Sequence, residues 1–380
     1  MHDVLIVGSG PSGSYLAYSL AKLGFDVVNL EEHREVGRPV ECTGLVSERV
    51  FKYVRTKAKV NSVSGAHIIF PNGKGIHVQK AEKTVVMDRD QFDKDASAMA
   101  IGAGADVRIN SRALKIKVSD HAASIICREN GNIRELEGRI VVGADGVNSI
   151  VRRDLEYESP SRIISTYQVD SAARMEDQDS VNVYIGSRST HGFFGWATPA
   201  GELSKIGVGT YRKPALEHFQ YINRKFGSGK ILGINGGGIP ITYLKRTYGK
   251  RSLLVGDAAG IVKPLSGGGI FTGIVSSKHA SESIRIALES EVFGDNALSS
   301  YQKGWKRELG MELKFDSLAQ RFFSGIPDSA LDKIYGILSS PGNVEIINKT
   351  GDIDFPSKVI LSILLRNPSI LAYVLKRNRA

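Results

Sequence analysis

The sequence predicts an α/β protein of two interleaved lobes, one built on a parallel sheet and one on mainly antiparallel strands, with a helical C-terminus. Three observations carry this. An apolar, β-branched strand from Asp3 to Val7 runs straight into Gly8-Ser9-Gly10-Pro11-Ser12-Gly13 and then into residues at helical spacing. The segment from Ile163 to Tyr211 alternates apolar and polar residues, with turn signals every eight to twelve residues, as a sheet lobe does. From Gly269 onward the pattern turns helical.

Leu16, Ala17, Leu20 and Leu23 recur at helical spacing, and Gly24 stops that helix. A second strand, Asp26 to Leu30, leads to Glu31-Glu32. Strand, glycine loop, helix, strand and acid stand in the order a dinucleotide-binding βαβ unit requires. Gly8 permits the tight turn, Gly10 lets a pyrophosphate approach the backbone, and Gly13 lets helix and strand pack closely. Glu31 is placed to accept hydrogen bonds from adenosine ribose hydroxyls. Asp90 to Gly102 reads as a helix. Strands at Ala105–Ile109, Leu114–Val118, Ala123–Cys127 and Ile133–Val142 then carry the chain to Gly143-Ala144-Asp145-Gly146. Ser252 to Val255 is another buried strand, followed by Gly256-Asp257-Ala258-Ala259-Gly260. Helices are expected over Gly269–Glu289 and through Ala297–Ser339. No repeat, low-complexity tract or flexible linker divides the chain.

The 380 residues are 42% hydrophobic and 24% charged, which excludes disordered and collagen-like classes. No run approaches the roughly 20 apolar residues that span a bilayer, and the N-terminus lacks the pattern of a signal peptide. Cys42 and Cys127 are too few for a disulfide framework or a four-cysteine metal site, so a reducing cytoplasm is the expected setting. The eight histidines show no metal-ligand spacing, and no metal is expected. There is no GxSxG, and Gly229-Lys230 runs into Ile231 rather than completing a phosphate loop. The net charge is +10, and Lys358, Arg366, Lys376, Arg377 and Arg379 contribute half of it from an acid-free tail. No nucleic-acid-binding motif accompanies that charge. Lys358, Ser362 and Arg366 instead form a narrow polar stripe beside Val359, Ile360, Leu361, Ile363, Leu364 and Leu365, the pattern of a helix lying at an anionic lipid surface.

Gly143-Ala144-Asp145-Gly146 with Ser149 and Arg152, and Gly256-Asp257-Ala258-Ala259 with Pro264 and Gly267-Gly268-Gly269, resemble the paired signatures of flavoprotein hydroxylases. Three further stretches sharpen this: Glu31 to Cys42, Asp88 to Asp93, and Val255 to Ile270. Over nearly its whole length the chain resembles the geranylgeranyl reductase family, including archaeal digeranylgeranylglycerophospholipid reductases. The resemblance implies an FAD-binding Rossmann-like lobe of the hydroxylase type (1–155 with 245–295). It also implies an antiparallel β substrate lobe (60–85 with 156–244) and a helical C-terminal region (296–380). The family's flavin contacts carry over to Gly13, Glu31, Cys42, Arg89, Ala113, Asp257, Gly269 and Ile270, beside Gly8 and Gly10; Gly44 is placed with them. In that superfamily the aspartate matching Asp257 binds the flavin's ribityl chain, and a helix N-terminus near Gly269 faces the ring edge that becomes anionic on reduction.

The family's Tyr-x-Trp-x-Phe-Pro stretch is here Phe194-Gly195-Trp196-Ala197-Thr198-Pro199, which retains Trp196 and Pro199. Phe194, Trp196 and Pro199 are expected to line a prenyl site. Thr43-Gly44 replaces the family's usual glycine and acid after Cys42. The implied activity is FAD-dependent saturation of isolated double bonds in geranylgeranyl chains on an ether phospholipid. The implied partners are the prenyl lipid, an anionic membrane surface and a transient electron donor, either a reduced ferredoxin-like protein or NAD(P)H. The implied location is cytoplasmic and peripherally membrane-associated. Cys42, a tyrosine and a bound water are open candidates for the proton donor. An FAD monooxygenase and an electron-transfer flavoprotein are the rival readings on the same fold.

Overall fold

The computed structural model describes residues 1–211, 214–225 and 229–375, the side chains of 374 and 375 excepted. The first strand, His2–Val7, lies in the middle of a mostly parallel sheet. Val27–Leu30 pairs with it on one side and Asn132–Gly143 on the other, both in parallel. Ser252–Leu254 extends the parallel order beyond Asn132–Gly143, and Asp106–Arg108 does so beyond Val27–Leu30. Val4, Leu5 and Ile6 are wholly inaccessible to solvent, which is why this strand reads as a continuous apolar run rather than an alternating one.

Helices Pro11–Ala21 and Ile270–Ser290 pack against each other through small residues. A Cβ on Gly273 would lie 2.3 Å from Ser12 Oγ, and one on Gly256 2.5 Å from the same atom. Ser277 Oγ donates to Ser12 O at 2.8 Å and locks the contact.

The second sheet has nine strands. Its outer part is a long hairpin, Lys59–Ile69 with Gly75–Met87. Pro71-Asn72-Gly73 supplies the turn, with Gly73 at φ +81°. Ile163–Ser171, Gly195–Ala200 and Leu203–Thr210 form its antiparallel centre. Ser180–Tyr184 joins that centre to the hairpin, running parallel to Lys59–Ile69. Two expected helices are found as Arg89–Gly102 and Ile270–Ser290. Ala215–Asn223 and Pro341–Thr350 are helices the sequence pattern did not single out.

The C-terminal helices rest on the hairpin. Gln79 N donates to Asn348 Oδ1, and Asn72 N to Asp332 Oδ1. Between them, residues 352–355 cross the parallel lobe as a strap. Arg49 makes a two-pronged pair with Asp352 at 2.8 and 2.9 Å and reaches Asp354 at 3.0 Å. Lys263, only 5% exposed, donates to Asp354 Oδ1 and Ile353 O, both at 2.8 Å. Phe355 meets Phe271 edge-on and lies under the Arg49 guanidinium.

Candidate active site at the cleft between the sheets

Three glycine-rich turns converge where the parallel strands end. A Cβ on Gly8 would lie 2.4 Å from Ala144 O, and one on Gly13 1.9 Å from Gly8 O, so neither position tolerates a side chain. Gly10 has no atom within 4 Å of where its Cβ would stand, leaving its backbone open to the cleft. The two later signatures are joined directly: Val255 N donates to Gly143 O at 2.9 Å, and Arg152 Nη1 to Ala258 O at 3.1 Å. Asp145 Oδ2 accepts from Ile150 N at 2.7 Å, fixing the turn before the helix Ile150–Asp154.

The donors and acceptors around this cradle fit FAD. Helices Pro11–Ala21 and Ile270–Ser290 begin at Gly10 and Gly269 without a side-chain cap, which leaves their first-turn N–H groups (Ser12 and Gly13 in the first helix, since Pro11 has none) to serve an anion. The buried Glu31 carboxylate accepts from Ser9 N, His33 N and His33 Nδ1. A carboxylate has about four lone-pair sites, so a position remains for a ribose hydroxyl. Ala113 is buried on Ser111–Val118, whose first residue donates its N–H to Glu31 O. Asp257 lies so close to Gly269 that a Cβ there would stand 2.7 Å from Oδ1. Burial pushes the Asp257 carboxyl up to about 6; Arg89 pulls it down and Glu41 adds to the rise.

Around Cys42 the structure collects residues from four distant segments. Gly44 has φ +80° with its missing Cβ facing Met87 O, so only glycine makes this bend, and Gly44 N donates to Cys42 Sγ at 3.3 Å. Arg89 opens its helix facing inward and pairs with Asp93 through two hydrogen bonds at 2.9 and 3.2 Å. Burial opposes the Arg89 charge, but Asp93 and Cys42 outweigh it. Lys205 donates to Thr43 O at 2.9 Å, and burial pushes its ammonium down while Cys42 supports it. A cavity of about 370 Å³, lined by Pro39, Glu41, Tyr167, Ile234, Asn235 and Gly236, opens beside this loop.

Thr43, the departure next to Cys42, is hydrogen-bonded to the second sheet. Its hydroxyl donates to Gln168 Oε1 at 2.6 Å, and Trp196 Nε1 donates to the same oxygen at 2.9 Å. Gln168 Nε2 in turn donates to Asn235 Oδ1. Trp196 lies half-buried over Gly207, where any Cβ would strike its ring. Phe194 meets it at 5.9 Å between ring centroids. Pro199 is not brought to them: along Gly195–Ala200 it falls on the opposite face, buried, with its carbonyl held by Asn61 Nδ2.

Sequence reasoning missed Gln168, Lys205 and Asp316. Asp316 is buried on the helix Ser299–Phe323, and neither oxygen has a hydrogen-bond partner among the described residues. Burial pushes its carboxyl up to about 7, with Glu312 adding and Lys263 opposing.

These features define a flavoprotein with the hydroxylase-type fold. Residues 1–224 match the FAD binding domain family. The chain is 31% identical to digeranylgeranylglycerophospholipid reductase 2 of Methanothermobacter thermautotrophicus, over 97% of this chain and 98% of that one. It is also 31% identical to the digeranylgeranylglycerophospholipid reductase of Thermoplasma acidophilum, over 89% and 91%. The chain belongs to this reductase family of FAD-binding proteins. Among solved structures, a geranylgeranyl bacteriochlorophyll reductase-like protein from Thermoplasma acidophilum superposes with a TM-score of 0.89 at 27% identity, covering 99% of this chain and 98% of that one. A mutant of the halogenase PltM in complex with FAD shares the fold alone, with a TM-score of 0.69 at 16% identity over 100% and 92%.

Proposed function

We propose that this chain saturates isolated double bonds of geranylgeranyl chains carried on an archaeal-type ether phospholipid. The observation that carries this reading is the full-length match to the reductases. The Cys42 loop supports it, being held between the flavin cradle and the Trp196 sheet. An isolated alkene has no carbonyl to accept negative charge, so reduction needs a proton delivered to the less substituted carbon in a site closed to water. Bound FAD supplies the hydride chemistry. Phe194 and Trp196 offer aromatic surface to a long apolar chain, while Arg89, Lys205 and Thr43 hold the Cys42 loop against the cleft. The parallel sheet serves the FAD cradle, so the electron donor, a ferredoxin-like protein or NAD(P)H, docks transiently from outside. Reduced enzyme incubated anaerobically with geranylgeranyl lipids should add two mass units per double bond. An oxygen-dependent gain of sixteen units would establish the monooxygenase reading instead.

We further propose a cytoplasmic enzyme held peripherally on anionic membrane. No helix among the described residues is long and apolar enough to cross a bilayer. The tail helix forms at Ser357–Arg366 as the pattern predicts, but part of its apolar face turns inward. Val359, Ile363 and Leu364 pack with Ala330, Ile334 and Ile370, and Leu361 and Leu365 are left outside at 47% and 83% exposure. Met311, Leu318 and Phe322 are exposed on the neighbouring helix Ser299–Phe323, as is Lys314, and Lys358 and Arg366 are exposed on the tail helix. Each basic group near an anionic surface contributes on the order of 1 kcal/mol. The basic run Lys376, Arg377 and Arg379 lies outside the described residues. The double variant Leu361→Asp, Leu365→Asp should sediment several-fold less with anionic vesicles while retaining its flavin. Unchanged sedimentation would rule out this face.

A further inference from the structure

On the second sheet, strand pairing gathers three side chains that the sequence scatters. His67 and His77 stand directly opposite each other on Lys59–Ile69 and Gly75–Met87, their ring centroids 4.4 Å apart and their planes within 20°. Asp177 precedes Ser180–Tyr184, the strand on the other side of Lys59–Ile69, and its Oδ2 lies 2.9 Å from His67 Nε2. The His77 ring reaches across Gly65. A Cβ there would sit 2.8 Å from His77 Nε2 and 2.5 Å from Ser180 Oγ, so glycine keeps that corner clear. His77 Nε2 comes within 3.1 Å of Ser180 Oγ. One ligand atom from each of His67, His77 and Asp177 falls within 4.8 Å of the others.

We propose that His67, His77 and Asp177 form a divalent-metal site, with zinc as its occupant, that clips the hairpin to the turn before Ser180. Two imidazoles and a carboxylate are donors zinc takes at about 2.0–2.2 Å, and the fourth position is open to water or to Ser180 Oγ. Ligands around a tetrahedral zinc stand roughly 3.3 Å apart, so side-chain rotation closes the present arrangement onto an ion. His67 is half-buried, while His77 and Asp177 are exposed, which gives the ion a path from solvent. The clip joins segments about 110 residues apart, where closing a long loop stabilises most. Ten residues separate the histidines and a hundred more precede the aspartate. No motif spacing reveals such a set, which is why the expectation of no metal arose from sequence.

The test is calorimetric titration of zinc into untagged, chelator-stripped, flavin-loaded protein, with cobalt absorption as a second readout. The wild type should take up one equivalent and melt at higher temperature when loaded. His77→Gln and Asp177→Asn should each weaken binding about 100-fold or more, beyond the usual cost of losing an outer-shell partner. His121→Ala, an exposed histidine elsewhere, should leave binding unchanged. Unaltered flavin spectra show that the variants are folded. Absence of saturable zinc binding by the wild type overturns the proposal, as does undiminished affinity in His77→Gln.

Discussion

Asp257→Ala is expected to fold and to purify almost colourless. A hydrogen bond to a charged group contributes about 1.5–3 kcal/mol, so if Asp257 holds the ribityl chain as proposed, its loss should weaken FAD about 10- to 150-fold. Stability of the flavin-free protein should move the other way. The folded pKa of about 6 lies above the ordinary 3.8, so between those values the folded chain binds more protons than the unfolded one. Flavin-free wild type therefore loses stability as pH rises through that window. Asp257→Asn removes that loss. Melting temperatures of stripped protein at pH 5 and pH 7.5 should show wild type falling relative to the asparagine variant. Wild-type flavin occupancy in Asp257→Ala would remove Asp257 from the cradle.

Arg89→Ala should be strongly destabilising. It leaves the Asp93 carboxylate, on a residue only 5% exposed, without its cation. Breaking one half of a buried pair costs about 3–5 kcal/mol, whereas replacing both halves with apolar groups is often neutral. The double variant Arg89→Met, Asp93→Leu should therefore recover most of the loss in a denaturant titration of flavin-free protein. A loss under about 1 kcal/mol in Arg89→Ala is what an exposed helix-start charge would give.

What the sequence disclosed about this molecule was whatever is encoded locally. The glycine loop, its flanking strands and Glu31 were legible because each neighbour in the motif is a neighbour in the chain. The tail helix was legible to the residue for the same reason. The hairpin Lys59–Ile69 and Gly75–Met87 was reached only through the family resemblance, which put 60–85 in the β lobe, because charged residues interrupt its pattern and its register shifts between Lys59 and Asn61 and between Val63 and Gly65. Arg89 and Asp93 show helical spacing to any reader, but their burial depends on packing that spacing does not reveal. Thr43 registered only as a departure from its relatives. Its partner Gln168 lies 125 residues away, and the hydrogen bond to Gln168 is a fact of the fold.

The strap at 352–355 makes the C-terminal helices part of the cofactor's thermodynamics. Lys263 belongs to the loop between Asp257 and Gly269, and its ammonium is shared with Asp354 and Ile353. A ligand that binds only the folded state stabilises it by RT ln(1 + [L]/Kd), so the protection grows with the logarithm of free ligand once that exceeds Kd. Through Lys263 and Arg49 that protection reaches the strap and the helices it joins. Proteolytic trimming of the tail thus becomes a gauge of flavin occupancy on the opposite side of the strap.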